Sequence, residues 1–358
     1  MPRLEVAMET GIKSNLRKLS LLSLLLIASV FNPDIWLPAV LSRNQTDFLQ
    51  ETTAIFLSII IEAFPLVLVG VMVSSFIHIF ISDKTIHRLL PRSSIAGIAC
   101  GSLLGIFFPL CECGIIPIVR RLIQKGVPAY IAVPFMLAAP IINPLVGFST
   151  YLAFNSSLGM LLYRLAGAFL CANLIGILLY ASGTKAAVLN PFTADYGCCH
   201  GCGCGHEQHH PGLLMQLRDM LYHTCDEFFD MGRFLLIGSF FAAVIQVTVS
   251  RTLLLSVGQE PVVSILGMMG FAFVLSVCSQ ADAFIAAPFA ASFTPGAIAS
   301  FLIYGPMLDI KNVIMMFNAF RVYYVIKLIL LITIIVFLLS LLINQLPYLC
   351  LREVLALA

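Results

Sequence analysis

The stretch Phe107-Phe108-Pro109-Leu110-Cys111-Glu112-Cys113-Gly114-Ile115-Ile116-Pro117 decides how the chain folds. It sits inside an apolar run, residues 94–119, that is long enough to cross a bilayer. Each proline removes a backbone donor and clashes with the preceding turn, so an unbroken helix through this stretch is disfavoured. Backbone freed from helical bonding is tolerated at membrane depth where it is buried in protein or lines a cavity. The run therefore reads as a segment that enters the membrane, breaks and returns, with a plain crossing helix as the alternative. Basic residues favour the return. Lys84, Arg88 and Arg92 precede the run, and Arg120, Arg121 and Lys125 follow it. Both groups can face the cytoplasm only if the segment between them does not cross.

The rest of the chain agrees with a membrane setting. Of 358 residues, 60% are hydrophobic and 11% charged, and the mean hydropathy is +0.99. Soluble domains carry roughly 25% charged residues. A net charge of +2 gives no electrostatic footprint for a nucleic acid. Further apolar runs cover 53–81, 128–154, 158–181, 228–250, 261–290, 295–317 and 322–344, after a first run at 19–41 broken by Asn32-Pro33-Asp34. That first run reads as a retained span, a cleaved signal peptide being the alternative. The expected fold is an all-α polytopic membrane protein with about eight to nine hydrophobic segments, some broken or re-entrant. Its divisions are 1–52 (an extra N-terminal segment), 53–181 (a first membrane repeat), 182–226 (a polar loop), 227–346 (a second repeat) and 347–358 (a tail). The basic amino terminus and the positive-inside rule place the polar loop in the cytoplasm and the protein in the inner (plasma) membrane.

An internal repeat runs through the apolar part. Cys111 and Cys278 are 167 residues apart, as are Pro128 and Pro295. Glu62 and Glu227 are 165 apart, and Ala139-Pro140-Ile141-Ile142-Asn143 aligns with Gly305-Pro306-Met307-Leu308-Asp309 at 166. Four ordered matches at nearly one spacing predict two homologous halves. If the broken segments do not cross, each half crosses three times and the halves are inverted, which places a substrate site near the midplane.

Cys111-Glu112-Cys113 is the leading transport-site motif. A carboxylate in an apolar segment is costly unless paired, ligated or hydrated, and two flanking thiols suit a soft metal or metalloid. The competing interpretation is a Cys pair at a tight turn, with Glu112 satisfied by backbone amides. The second half offers Cys278 and Asp282 at the matching place. Glu62, Glu227 and Asp309 follow, as proton relays or as structural groups such as an Asp309 ion pair with Lys311 or Arg233, and Asn143 completes the set. Met268, Met269, Met307, Met315 and Met316 are expected to pack rather than to ligate.

The polar loop carries eight potential ligands in thirteen residues: Cys198, Cys199, His200, Cys202, Cys204, His206, His209 and His210. Thiolate and imidazole together suit Cu(I) or Zn(II), although the spacing is not that of a zinc finger. A low-complexity linker without specific binding is the alternative. The eleven cysteines do not form a disulfide framework, since four crowd into this loop and most others lie in apolar runs. No phosphate-binding loop occurs, and no nucleophile–base pairing suggests an enzyme.

These motifs resemble a bacterial "predicted permease" family that includes organoarsenical efflux permeases. The resemblance rests on the Phe-Pro-Leu-Cys-Glu-Cys-Gly core, Gly126-Val127-Pro128-Ala129, Ala139–Pro144 and Gly305–Asn312, and covers Thr53 to Asn344. The Cys/His loop looks like that family's copper/zinc efflux branch. The resemblance implies an ATP-independent permease exporting Cu(I) or Zn(II), with no cofactor required beyond the ion itself. The metal ion and the lipid bilayer are its expected partners, and homo-oligomers are compatible with it. Efflux of trivalent arsenicals and metal sensing without transport are the rival functions.

Overall fold

A computed structural model describes residues 45–80, 91, 93–106, 110–155, 157–182, 188–189, 213–248 and 260–345. The cluster from Cys198 to His210 lies outside the described residues, as do Phe107 to Pro109 and the basic residues Lys84, Arg88 and Arg92. The chain divides into two units, 1–54 and 55–358. The second holds every described residue that the sequence singles out for function.

Among the described residues, twelve α-helices follow one another. They are α1 (Gln45–Phe80), α2 (Ser94–Leu103, continued by a 3-10 turn, Leu104–Ile106), α3 (Glu112–Gln124), α4 (Ala129–Ala138), α5 (Pro144–Ala153) and α6 (Leu158–Ala181). Then come α7 (Leu213–Thr248), α8 (Pro261–Leu275), α9 (Asp282–Ala286, continued by a 3-10 turn, Ala287–Phe289), α10 (Pro295–Met307), α11 (Ile310–Ala319) and α12 (Val322–Gln345). An isolated bridge joins Leu189 and Phe320. Among the described residues, five stretches are long and apolar enough to cross a membrane: Phe48–Phe80, Leu158–Ala181, Met220–Thr248, Pro295–Ala319 and Val322–Gln345. Ser94–Ile106, Ala129–Ala138 and Pro261–Leu275 are apolar but shorter. At 1.5 Å per residue they reach roughly 15–23 Å, less than the ~30 Å of a hydrocarbon core.

Proline and polar caps explain why several apolar runs yield two helices instead of one. The run 128–154 is split into α4 and α5 at Asn143-Pro144. A residue before proline avoids the helical region; Asn143 is extended, and its Oδ1 accepts the Leu145 N–H at 3.0 Å to cap α5. The same device splits α10 from α11. Leu308 and Asp309 are extended, and Asp309 Oδ1 accepts the Asn312 N–H at 2.6 Å. In α8 the stop is Ser276, in the left-handed region at φ 48.

Helices α1, α6 and α12 keep apolar side chains on their outer faces, among them Ile61, Leu162 and Leu330. The broken pair α10–α11 is the reverse: 89% of its apolar window is buried, against 22% for α1 and 33% for α12. It is the interior span of the unit. α10 packs on α8, α12 and α6, while α11 packs on α7, α3 and α12. The interruption between them therefore opens inside protein, where irregular backbone can be satisfied.

Candidate transport site

The first component of the site is the start of α3. Cys111 caps it, with Sγ accepting the Gly114 N–H at 3.4 Å. A Cβ on Gly114 would stand 2.9 Å from the Leu66 carbonyl oxygen, so glycine lets α3 rest directly on the backbone of α1. That contact fixes Cys111-Glu112-Cys113 beside the first span.

The second component is the start of α11, which meets the start of α3. Lys311 Nζ lies 3.7 Å from Glu112 Oε1 and 3.5 Å from Asp309 Oδ2, and all three side chains are buried. Cys113 Sγ lies 3.9 Å from Asn312 Oδ1 and also interacts with the Cys111 thiol. Asp309 thus pairs with Lys311, whereas Arg233 pairs with Asp230. Glu112 is partnered by an ammonium group on another helix, and its Oε2 has no hydrogen-bond partner.

Two more of the expected residues join from the second half. Cys278, in the break between α8 and α9, donates its thiol hydrogen to Glu62 of α1. Glu112 is close enough to Glu62, Cys278 and Asp282 to interact electrostatically with each. Asp282, at the edge of the group, is held by Arg164. One guanidinium nitrogen of Arg164 lies 2.7 Å from Asp282 Oδ2 and 2.8 Å from the Ser279 carbonyl oxygen, and the other donates to Thr150 Oγ1 at 2.7 Å.

The structure thus gathers Cys111, Glu112, Cys113, Cys278, Glu62 and Asp309 around Lys311, with Asp282 adjoining. Glu227 belongs to a different group at the far end of α3. There Arg121 Nε is 3.5 Å from Glu227 Oε1, Ser74 donates to Glu227 Oε2 at 3.0 Å, and Arg120 is 3.7 Å from Asp230. Asn143 is the cap of α5, and its described hydrogen bond is to Leu145. His223, near the end of the polar loop, stacks edge-on against His78 with ring centroids 5.2 Å apart.

Sequence reasoning missed Arg164 and the reach of Lys311 across to Glu112. The signal for the first was present: Arg164 is the only charged residue in the run 158–181. The second required knowing that α3 and α11 meet end to end. A small cavity also opens beside Glu112, and three methionines line part of its wall, Met136, Met307 and Met316. Among the described residues, no three His, Cys, Asp or Glu side chains converge as a ready-made metal cage.

Fold and site together define an all-helical, multi-pass membrane protein whose most buried span is interrupted at a cluster of thiols and paired charges. The chain belongs to the predicted permease family: the family model ArsP_1, described as "Predicted permease", matches residues 48–345. The UPF0718 protein YcgR of Bacillus subtilis (strain 168) is 45% identical over 301 residues, covering 84% of this chain and 99% of that protein. A Streptococcus mutans serotype c (strain ATCC 700610 / UA159) protein named "Putative two-component membrane permease complex subunit" is 42% identical over 277 residues, covering 77% of this chain and 89% of that relative. No solved structure matches the chain. The protein is therefore a membrane permease in a lipid bilayer.

Proposed function

We propose that the chain is an ATP-independent efflux permease for a soft, thiophilic solute, with Cu(I) or Zn(II) as the leading substrates. The observation that carries this reading is the cluster at the helix breaks. Cys111, Cys113 and Cys278 lie among Glu62, Glu112, Asp309 and Lys311, on elements from both ends of the sequence. An ion in hydrocarbon faces a barrier that falls only when polar ligands replace water at depth. The cluster offers such ligands where the backbone of the most buried span is open. Its lack of a closed metal cage suits a transit site, where binding must be weak enough to release.

Several finer features belong to the same proposal. The helices of the described chain run 36, 10, 13, 10, 10 and 24 residues, then 36, 15, 5, 13, 10 and 24. That recurrence supports two homologous halves, inverted in the membrane, which would bring the two broken segments to one midplane site. The loop with Cys198, Cys199, His200, Cys202, Cys204, His206, His209 and His210 would face the cytoplasm of a cell whose inner membrane holds the protein, and capture or sense metal there. The permease family and the absence of a phosphate loop speak for transport without catalysis by this chain. The Streptococcus mutans relative is named as a complex subunit, so assembly with a second membrane subunit, or with further copies, is part of the reading.

The test is flux. Purified protein in proteoliposomes is loaded with Cu(I), Zn(II) or a trivalent arsenical in turn, at a fixed pH gradient and without ATP. Transport of Cu(I) or Zn(II) is the expected result. Transport of the arsenical alone would reassign the substrate, and binding without flux of any of the three would make the chain a sensor.

A further inference from the structure

Methionines in an apolar chain ordinarily pack, and Met268, Met269 and Met315 do so here, each buried in the core. Three others are buried in the same core but also border a cavity. Met136 of α4, Met307 at the end of α10 and Met316 of α11 line one cavity together with Glu112 and Asn312. They come from three helices and meet at the break in the most buried span. The cavity has room for little more than one water-sized occupant. The Glu112 side chain, 3% exposed, presents to its surroundings an Oε2 atom without a hydrogen-bond partner. A buried carboxylate oxygen left unpaired costs more than an ordinary hydrogen bond returns, so an occupant that ligates it is favoured.

We infer that this cavity is a thioether-lined subsite for a single monovalent soft cation, Cu(I) in the cell and Ag(I) as its redox-inert mimic. The assignment rests on the permease reading above and narrows its substrate from two metals to one. Two arguments carry it. Thioether sulfur selects Cu(I) over harder divalent ions. The size of the cavity admits one bare ion and excludes a bulkier organic solute. The thiols of Cys111 and Cys113 flank Glu112 in sequence, so an ion could pass between thiolate and thioether ligands without meeting bare hydrocarbon.

The experiment counts silver on the full-length protein in detergent. All eleven cysteines are first replaced by serine, which removes every thiol. Silver per chain is then measured after desalting, and its sulfur neighbours by X-ray absorption at the silver edge. The cysteine-free protein is expected to retain one silver ion with sulfur ligands and to lose it in the M136L/M307L/M316L variant, whose side-chain volume is nearly unchanged. The control variant M268L/M269L/M315L should keep it. If the cysteine-free protein does not fold, the same two triple variants are compared in the wild-type background, where only the first should bind one silver ion fewer. Equal silver in both triple variants, or silver with only oxygen and nitrogen neighbours, would overturn the assignment. Vesicle flux separates it from the broader reading. Wild-type protein that moves no soft metal yet shows the silver difference would defeat the proposed transport function and leave the subsite standing.

Discussion

Two buried ion-pair groups, one holding Glu112 and the other Asp282, are built differently. Arg164 is fully buried and makes three contacts of 2.7–2.8 Å, to Asp282, Ser279 and Thr150. Lys311 is also buried, but its two carboxylate neighbours lie at 3.5 and 3.7 Å, and both of those carboxylates retain an oxygen without a hydrogen bond. Arg164 Nε and Asp282 Oδ1 are unpaired too, yet the guanidinium fork is otherwise saturated. The tight group has little left to offer a solute, and tethers α6 to α5 and α9. The loose group has thiols, an unpaired Glu112 oxygen and a cavity beside it. Burial alone does not separate a structural charge from a functional one here; the completeness of its contacts does.

The comparison predicts a difference in stability first, and this is the largest effect. Arg164→Met should leave Asp282 buried and unpaired, a loss of about 3–5 kcal/mol, read as poor membrane yield or a large fall in Tm in detergent. Replacing Arg164 and Asp282 together with apolar residues should recover most of that loss, because the penalty comes from the stranded charge. Lys311→Met leaves two buried carboxylates, Glu112 and Asp309, without their ammonium partner, and should stop flux in vesicles even in protein that still inserts. If Lys311→Met left flux intact, the distinction between the two groups would be lost.

A smaller effect is expected at the far end of α3. Glu227→Gln removes the charge facing Arg121 and Arg120 while keeping a side chain that can accept from Ser74. Flux should fall in part, with the same substrate preference, because this group touches α3 but not the thiol cluster. A change in which metal is moved, measured by competition between Cu(I) and Zn(II), would show that Glu227 belongs to the substrate site after all.

Much of this site was readable from spacing. Cys111, Glu112 and Cys113 stand out as polar groups in a proline-broken apolar run, and the near-constant offset to Cys278 and Asp309 marks matching positions later in the chain. Asn143 and Asp309 were assigned to the transport set from sequence, and the structure makes each of them the cap of a helix. What spacing does not encode is which helix ends meet. Lys311 is two residues from Asp309, so their pairing was visible locally; its pairing with Glu112 depends on α3 and α11 abutting across 199 residues of chain, as Cys113 and Asn312 do. Glu227 shows the opposite case. Its offset from Glu62 suggested an equivalent role, yet Glu62 binds Cys278 while Glu227 binds Arg121 and Ser74. A shared offset in sequence does not fix a residue's partners. Hydropathy sums over a run, whereas a proline or an extended cap divides it, so among the described residues five stretches are long enough to cross a membrane and three apolar helices are shorter.

The sharpest test sets the buried cluster against the polar loop. Cys111 and Cys113 are replaced together by serine in one protein, and residues 198–210 are deleted in another. Both are reconstituted at equal density, and Cu(I) flux is followed as a function of metal concentration. With the transport site at the start of α3, the double serine variant should show no flux above empty vesicles although it inserts and elutes as wild type does. The deletion should keep its maximal flux and need more metal to reach it. Full flux in the double serine variant together with none in the deletion would contradict the account.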